Sequence, residues 1–256
     1  MRTGERGERT DRYAVPFVVR DGVLREAMEG DGAWRALAAA IAGGLTLPAM
    51  ARGADDTAPD AALVCRPSPG FGDAWGERGP VLGAVERPLG RDQSNTSVVL
   101  DETLLLKGYR RIQPGLNPDL ELTAYLSEEA RFPGVPRLAG WAEAVTRDGG
   151  VATVAMLGAH VPGAHDVFER TADLLADLVA APGSVSLEWA TEVAGDVGTL
   201  IAGLHAALAM PPADAPDLAT RAATHDELKA WRTDAHRQLN RAIEAVGLVD
   251  PAVAAE

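Results

Sequence analysis

Residues 93–121 read QSNTSVVLDETLLLKGYRRIQPGLNPDLE, and this stretch decides the fold class. Two strand-like apolar runs meet at Asp101 and Glu102, a connection short enough for a hairpin turn although Asp-Glu is not a favoured turn pair. A helix is predicted to follow, because Asn117 can cap it and Pro118 suits the first helical position. The stretch therefore predicts an antiparallel hairpin followed by a helix.

The same stretch carries the groups that hold phosphates in phosphoryl-transfer proteins. Such a site needs hydrogen-bond donors from a turn between strands, a lysine on the neighbouring strand and an acid that holds the lysine. Lys107 ends an apolar strand run, and Glu121 lies in the first turn of the helix. The donors would come from a turn of small polar residues: Gln93, Ser94, Asn95, Thr96 and Ser97.

Each feature alone has a simpler structural explanation. A lysine at a strand end is usually a solvated edge charge, and a glutamate in a first helical turn often serves the helix dipole. However, Lys107 and Lys229 are the only lysines in a chain that otherwise uses arginine, which favours a required lysine. Strand, turn, strand, lysine and helix also follow in the order that a phosphate site needs. This order predicts a nucleotide site.

The sequence before this stretch predicts strands, a helix and loops in alternation. It predicts a strand-like start at 13–19, an alanine-rich helix at 33–42, glycine- and proline-rich loops at 52–59 and 67–80, and a strand at 81–86.

The sequence after this stretch changes from strands to helices. The helix that follows Pro118 is predicted to have an apolar face at Leu122, Tyr125 and Leu126. A second hairpin is predicted to join 137–145 to 151–157 through a turn at 147–150. Three amphipathic helical stripes follow: Val167, Thr171, Leu174, Leu178; Val193, Val197, Leu200, Leu204, Leu208; and Leu228, Trp231, Ala235, Leu239, Ala242, Val246.

The bulk composition limits the function classes. The 24 basic and 37 acidic residues give a formal charge of -13, which argues against a nucleic-acid partner but not against a nucleotide site. A single cysteine, Cys65, excludes an internal disulfide and a cysteine-based metal cluster. The charged N-terminus does not resemble a signal peptide, and no run is apolar enough for a membrane span. A cytoplasmic protein without a membrane or nucleic-acid partner is expected.

The order of these elements predicts an α+β fold with three parts. Residues 1–80 are expected to form an N-terminal cap subdomain that lies beside the sheet and has no catalytic residue. Residues 81–162 are expected to form a kinase-like nucleotide-binding lobe, an antiparallel sheet with one inserted helix. Residues 163–256 are expected to be the beginning of a helical C-terminal lobe that is incomplete.

A family resemblance adds to this interpretation. The segments QSNTSVV at 93–99, LKGYRR at 106–111 and PGLNPDLE at 114–121 resemble the nucleotide lobe of the bacterial maltokinases. These enzymes are relatives of the aminoglycoside phosphotransferases and of protein kinases. Three further segments are similar to that family: YAVPF at 13–17, FPGVPRLAG at 132–140 and VGTLIAGLHAALA at 197–209.

The resemblance implies an activity and a set of roles. The family uses ATP and Mg²⁺ to phosphorylate maltose for α-glucan (glycogen) synthesis, so ATP and maltose are implied partners, with trehalose synthase as an associated enzyme. The turn at 93–97 would then lie over the phosphates, Lys107 would contact the α- and β-phosphates, and Glu121 would orient Lys107. The backbone of a hinge segment would receive adenine, at Met156, Gly158, His160 and Val161.

The chain departs from the family pattern after its third helical stripe. Family members continue into a catalytic loop with a His-Gly-Asp-like pattern and then a metal-binding acid, and no His-Gly-Asp occurs here. The catalytic base and the Mg²⁺ ligands are therefore expected beyond Glu256, and no catalytic or metal-binding residue is assigned within the chain. The chain is interpreted as a fragment that is inactive alone. The alternatives are another sugar or aminoglycoside kinase of the superfamily, or a non-catalytic nucleotide-binding module.

Overall fold

The structure is a computed structural model, and it describes residues 12–48, 61–89, 95–146, 149–181, 187–210 and 221–249. The chain divides into two compact units, Met1–Leu208 and Ala209–Glu256. The first unit contains all of the strands described here and most of the helices.

The described elements alternate between short strands and helices before the chain becomes helical. The strands are β1 (Arg12–Tyr13), β2 (Phe17–Arg20), β3 (Val23–Glu26), β4 (Thr46–Pro48), β5 (Ala61–Pro67), β6 (Glu86–Pro88), β7 (Asn95–Leu100), β8 (Leu104–Tyr109), β9 (Arg111–Ile112), β10 (Leu138–Thr146) and β11 (Val151–Ala159). The helices are α1 (Ala33–Ala42), α2 (Phe71–Trp75), α3 (Pro118–Ala124), α4 (Val167–Ala180), α5 (Leu187–Leu208) and α6 (His225–Val249).

One antiparallel sheet organises the first unit. Its seven strands lie in the order β4-β5-β10-β11-β8-β7-β6, while β1 with β9 and β2 with β3 form two separate pairs. The α+β class, the antiparallel sheet and the helix inserted after β8 and β9 are as predicted. Both predicted hairpins, β7 with β8 and β10 with β11, are neighbours in this sheet.

The turn between β7 and β8 explains how an unfavoured residue pair is accommodated. Asp101 and Glu102 have φ values of 49° and 51°, the positive values that a tight hairpin turn requires at its two central positions. The strain is offset by two bonds to Val85: the Asp101 Oδ1 atom accepts from the Val85 N–H at 2.8 Å, and the Asp101 N–H donates to the Val85 carbonyl at 3.1 Å. This connection is therefore fixed from outside the hairpin.

Helix α3 begins as predicted. The Asn117 side chain accepts a hydrogen bond from the Asp119 N–H at 2.9 Å, and Pro118 takes the first helical position. The helix continues into a π-helical turn, Tyr125–Glu129. Its buried side chains are Leu120, Tyr125 and Leu126.

The prediction for Leu122 is wrong, since its side chain is 40% exposed. Leu122 follows the buried Leu120 by two residues, and two residues correspond to more than half a turn of an α-helix. The two leucines therefore point to opposite sides.

The core lies between one face of the sheet and helices α1 and α2. Helix α1 buries Trp34, Ala38 and Ile41 in this core. The N-terminus of α1 has no side-chain cap of its own, and the Glu86 carboxylate accepts from the N–H groups of Gly30, Gly32 and Arg35 instead, at 2.7, 3.2 and 2.7 Å. A carboxylate is favoured there by the helix dipole. The strands contribute the rest of the core: Cys65, Val98, Leu100, Leu104, Leu106, Ala139, Ala142, Ala155 and Leu157.

The strand predicted at 81–86 is wrong for most of its length. Residues Val81–Gly83 form a 3₁₀ turn, and β6 begins only at Glu86. Val81 and Ala84 are buried at three-residue spacing, which suits a 3₁₀ turn rather than a strand.

Residues 1–80 were expected to form a separate cap, but part of this segment belongs to the central sheet. Strand β5 pairs with β10 over seven residue pairs, and β4 pairs with β5. Residues 46–48 and 61–67 are thus part of the central sheet, so the prediction that the cap lies only beside it is wrong. The run AALVCRP at 61–67 supplies enough apolar residues to add a strand, with Cys65 buried. The boundary at residue 162 stays a prediction.

The three C-terminal helices lie where their stripes predicted them. Helix α4 is capped by Asp166, whose Oδ1 atom accepts from the N–H groups of Phe168 and Glu169 at 2.7 and 3.2 Å. In the second unit, Thr224 and Glu227 form a reciprocal capping box at the start of α6. Among the described helices, none is long and apolar enough to cross a membrane.

Close packing of β10 on β5 gives a first prediction, on Gly140→Ala. A Cβ atom at Gly140 would lie 2.5 Å from the Arg66 carbonyl oxygen of β5 and would also clash with Ile41 of α1. We expect a loss of about 1–3 kcal/mol in the free energy of unfolding, measured by urea denaturation. Gly72→Ala is the matched control, because a Cβ there meets nothing within 4 Å. Equal unfolding midpoints for the two variants would contradict this packing.

Candidate functional site

Three side chains form a row across neighbouring strands. In β7 and β8, Ser97 pairs with Lys107, and in β8 and β11, Lys107 pairs with Met156. Residues directly opposite each other in an antiparallel sheet project from the same face. The structure therefore brings these three predicted site residues together, on the face that does not carry α1.

The partner of Lys107 is Asp119. The Lys107 Nζ atom lies 2.8 Å from the Asp119 Oδ2 atom, and the two side chains are 30% and 41% exposed. The prediction that Glu121 holds Lys107 is therefore wrong for this contact. Asp119 and Glu121 are two residues apart in α3, which places them on different sides of the helix. Asp119 is the one that faces β8.

Tyr109 is a second group that sequence analysis missed. Its hydroxyl donates to the same Asp119 Oδ2 atom at 3.0 Å, and its ring centroid lies 5.7 Å from the Lys107 Nζ atom. Burial and the neighbouring Asp119 carboxylate raise the pKa of Tyr109 well above its usual value. The signal for it was available, because Lys107 and Tyr109 are two residues apart in a strand and so share a face.

A cavity of about 810 Å³ adjoins this row at Ser97. It is lined by residues of β6, β7 and β8, of the segment after β11, and of the start of α4. Ser97, His160 and Val161, which were predicted from sequence, are among the lining residues. Its other lining residues are Arg87, Leu89, Glu102, Leu105, Pro136, Ala159, Gly163, Ala164, His165, Asp166 and Glu169.

Two of the residues predicted to form the hinge lie inside a strand. Met156 and Gly158 lie inside β11 and are paired with β8 on one side and β10 on the other. The chain leaves the sheet at His160, whose N–H donates to the Thr103 carbonyl at 2.7 Å. The backbone that can face a ligand therefore starts at about Val161.

A polar cluster closes one side of the cavity. The Arg87 guanidinium holds the Glu102 carboxylate through two contacts, Nε to Oε1 at 2.5 Å and Nη2 to Oε2 at 2.7 Å. The hydrogen bond to Arg87 holds the pKa of Glu102 below its usual value. The His160 Nδ1 atom lies 3.3 Å from the Glu102 carbonyl oxygen, and the imidazole is 8% exposed. This cluster joins β6, the β7–β8 turn and the segment after β11.

The turn predicted at 93–97 is wrong for Asn95, Thr96 and Ser97, which lie in β7 and project alternately from the two faces of the sheet. Thr96 lies on the opposite face from Ser97, and its hydroxyl accepts from the Arg110 Nε atom at 3.1 Å. Asn95 alternates back to the face of Lys107, opposite Tyr109. Gln93 and Ser94 lie outside the described residues.

Two further observations concern which ligands the structure can bind. Within the described residues, no group of three or more His, Cys, Asp or Glu side chains could hold a metal ion, so no Mg²⁺ site is assigned. A second cavity of about 540 Å³ lies on the other face of the sheet, beside Trp34, Phe17 and Leu37. Its lining is mostly apolar, with Thr96, Tyr109 and Arg110 as exceptions, which suits a phosphate ligand less well.

Comparison with known proteins agrees with a kinase-like fold. The chain is 31% identical to a glucosamine kinase of Streptacidiphilus jiangxiensis over 243 residues, 92% of this chain and 48% of the relative. A solved glucosamine kinase in complex with glucosamine, ADP and inorganic phosphate matches with a TM-score of 0.57 and 26% identity, over 91% of this chain and 48% of that one.

A second crystal form of a glucosamine kinase matches with a TM-score of 0.58 and 25% identity, over 91% of this chain and 47% of that one. The chain thus spans about half the length of these relatives. No family model matches it. The chain therefore has a kinase-like fold similar to that of sugar kinases, and the resemblance to maltokinases in particular is not confirmed.

The identity of the lysine's partner gives the second prediction. Asp119→Asn removes the charge that faces Lys107, and we expect the free energy of unfolding to fall by about 0.5–1 kcal/mol, since the pair is partly exposed. Glu121→Gln is the matched control in the same helix and should change it by less than about 0.5 kcal/mol. Urea unfolding of both variants measures the difference. A larger loss for Glu121→Gln would restore the sequence-based assignment.

Proposed function

We propose that this chain carries the nucleotide-binding part of an ATP-dependent sugar kinase. The observation that supports this most directly is the position of Ser97, which lines the 810 Å³ cavity and lies directly opposite Lys107 in the pairing of β7 with β8. The relative solved with ADP and glucosamine supports the same class of reaction. The cavity volume lies within the range of small-molecule sites.

A nucleotide requires an apolar surface for its base and a cation for its phosphates, and the cavity has apolar lining residues and lies beside the strand that carries Lys107. Leu105 and Val161 both line the cavity, and we propose that the base binds against them. Lys107 lies two residues further along β8, roughly 7 Å at the rise of a strand. We propose that its ammonium group contacts the phosphates.

Neighbouring polar groups would add weaker hydrogen bonds to the bound nucleotide. Ser97 lies opposite Lys107 and offers a hydroxyl to the phosphates. Glu169, in the first turn of α4, lines the same cavity, and its carboxylate can accept from ribose hydroxyls. Asp166 is less suited, because its Oδ1 atom already caps α4.

The transfer step itself is a proposal for the protein that contains this sequence. Phosphoryl transfer needs acids that bind Mg²⁺ and a base for the sugar hydroxyl. The described residues contain no metal-binding cluster. For the chain itself, the proposal is therefore that it binds and orients ATP.

The acceptor sugar has two candidates. The maltokinase resemblance of 93–121 pointed to maltose and to glycogen synthesis with trehalose synthase. The relatives found by comparison are glucosamine kinases. We propose glucosamine, or a similar amino sugar, ahead of maltose.

The nucleotide site gives the third prediction, on Lys107→Ala. A charge-assisted contact is worth about 1.5–3 kcal/mol, so ATP affinity should fall roughly ten- to a hundredfold. Lys107→Arg should recover only part of it, because the planar guanidinium does not replace a compact ammonium. The measurement is a titration of the chain with ATP, followed by tryptophan fluorescence or calorimetry.

Lys229→Ala is the matched control, since Lys229 is the other lysine of the chain and lies on α6 in the second compact unit. It should bind ATP as the unmodified chain does. If Lys107→Ala and Lys229→Ala bind ATP equally well, the nucleotide-site proposal is wrong.

The acceptor gives the fourth prediction. We expect ADP release with ATP and glucosamine to exceed that with ATP and maltose, assayed on the product of the gene that contains this sequence. Reactions without sugar serve as the blank for ATP hydrolysis. A higher rate with maltose would overturn the choice of glucosamine and favour the maltokinase assignment.

A further inference from the structure

The acid that holds Lys107 is itself held from two sides. Asn117 caps α3 by accepting from the Asp119 N–H at 2.9 Å, which fixes the backbone of Asp119. The Tyr109 hydroxyl donates to the Asp119 Oδ2 atom at 3.0 Å, which fixes the carboxylate. Lys107 donates to the same oxygen at 2.8 Å. One carboxylate oxygen thus accepts from two side chains of a single strand.

The direction of the tyrosine bond follows from chemistry. An ionised carboxylate can only accept hydrogen bonds, so the Tyr109 hydroxyl is the donor. Tyr109 is 6% exposed, so water competes little for this contact. Lys107, by contrast, is 30% exposed and has three N–H donors, of which the contact with Asp119 engages one.

We propose that Tyr109 is a positioning residue for the nucleotide site. Its hydroxyl holds the Asp119 carboxylate, which in turn directs the Lys107 ammonium group towards the phosphates. This inference rests on the proposed function, and it goes beyond it by assigning a role to a residue that does not itself contact ATP. Without the hydroxyl, the carboxylate can rotate, and Lys107 has to be ordered when ATP binds.

A purely structural role makes a different prediction. If the buried ring of Tyr109 only fills space, Tyr109→Phe keeps the ring and leaves ATP affinity unchanged. If the hydroxyl positions Asp119, Tyr109→Phe weakens ATP binding although the fold is retained. The effect must also depend on Asp119, because Tyr109 acts through it.

The experiment is a double-mutant cycle with ATP affinity as the readout. We expect Tyr109→Phe to raise the Kd for ATP about three- to tenfold, less than Lys107→Ala does, because Tyr109 acts on the phosphates only through Asp119. On an Asp119→Asn background, the same substitution should change the Kd by less than about twofold. Tyr125→Phe is the matched control: Tyr125 is also buried, but its hydroxyl donates to the Ala207 carbonyl at 2.7 Å, away from the site.

The outcomes separate this inference from the proposed function. If the unmodified chain binds no ATP, the proposed function fails and the inference fails with it. If the chain binds ATP but Tyr109→Phe leaves the Kd unchanged, only the positioning role of Tyr109 is overturned. The same holds if Tyr109→Phe raises the Kd by the same factor with Asp119 and with Asn at position 119.

A measurement without a substitution at position 109 covers the case in which Tyr109→Phe does not fold. The chain has three tyrosines, so uniform fluorotyrosine labelling gives a simple ¹⁹F spectrum. The resonance of Tyr109 is assigned by eliminating those of Tyr13 and Tyr125. We expect it to shift on addition of ATP and on Asp119→Asn. A resonance that responds to neither overturns the inference.

Discussion

The two-residue period of β8 is the constraint on which the rest of the first unit depends. Leu104 and Leu106 point to one face and are fully buried against the helical core. Lys107 and Tyr109 point to the other face and meet α3 there. A shift of one residue in the register of this strand would bury the lysine and expose the leucines. The hydrophobic core and the polar site therefore specify the same register.

The ion pair between Lys107 and Asp119 contributes little to stability. Both side chains are partly exposed, and such pairs are worth at most about 1 kcal/mol. An apolar pair at these two positions would serve the fold as well. The pair is more valuable for orientation, since a lysine side chain has many rotamers and a fixed acid restricts them. This reasoning favours a binding role for Lys107 over a purely structural one.

Much of the central stretch could be predicted from local patterns. The β7–β8 hairpin, the Asn117 cap and the position of α3 follow from apolar runs and from turn and cap residues, which act within a few positions. The partner of Lys107 could not be predicted in this way. It depends on the rotation of α3 about its axis, and both Asp119 and Glu121 lie in the first turn. The buried Leu120 does not decide between them, because it lies one residue, about 100° of helical turn, from each.

The missed parts of the fold depend on contacts between distant residues. Residues 61–67 became a strand of the central sheet because β10 offers them a full set of partners, which the sequence does not reveal locally. Glu86 was correctly assigned to a strand, but the sequence does not reveal that its carboxylate holds the N-terminus of α1, more than fifty residues earlier. The neighbouring Arg87 lines the cavity. Strand β6 thus connects the N-terminal helix to the candidate site.

The nucleotide proposal can be tested on this chain, because the residues of the candidate site all lie in the first compact unit. Every residue that lines the larger cavity lies between Arg87 and Glu169, within the first compact unit. Contacts that hold the neighbouring elements also lie within that unit: Glu86 with α1, Asp101 with Val85, and Asp119 with β8. Binding of ATP can therefore be measured on this chain independently of sugar phosphorylation. A failure to bind would count against the site itself, and a failure to transfer phosphate would count only against the assignment of the reaction.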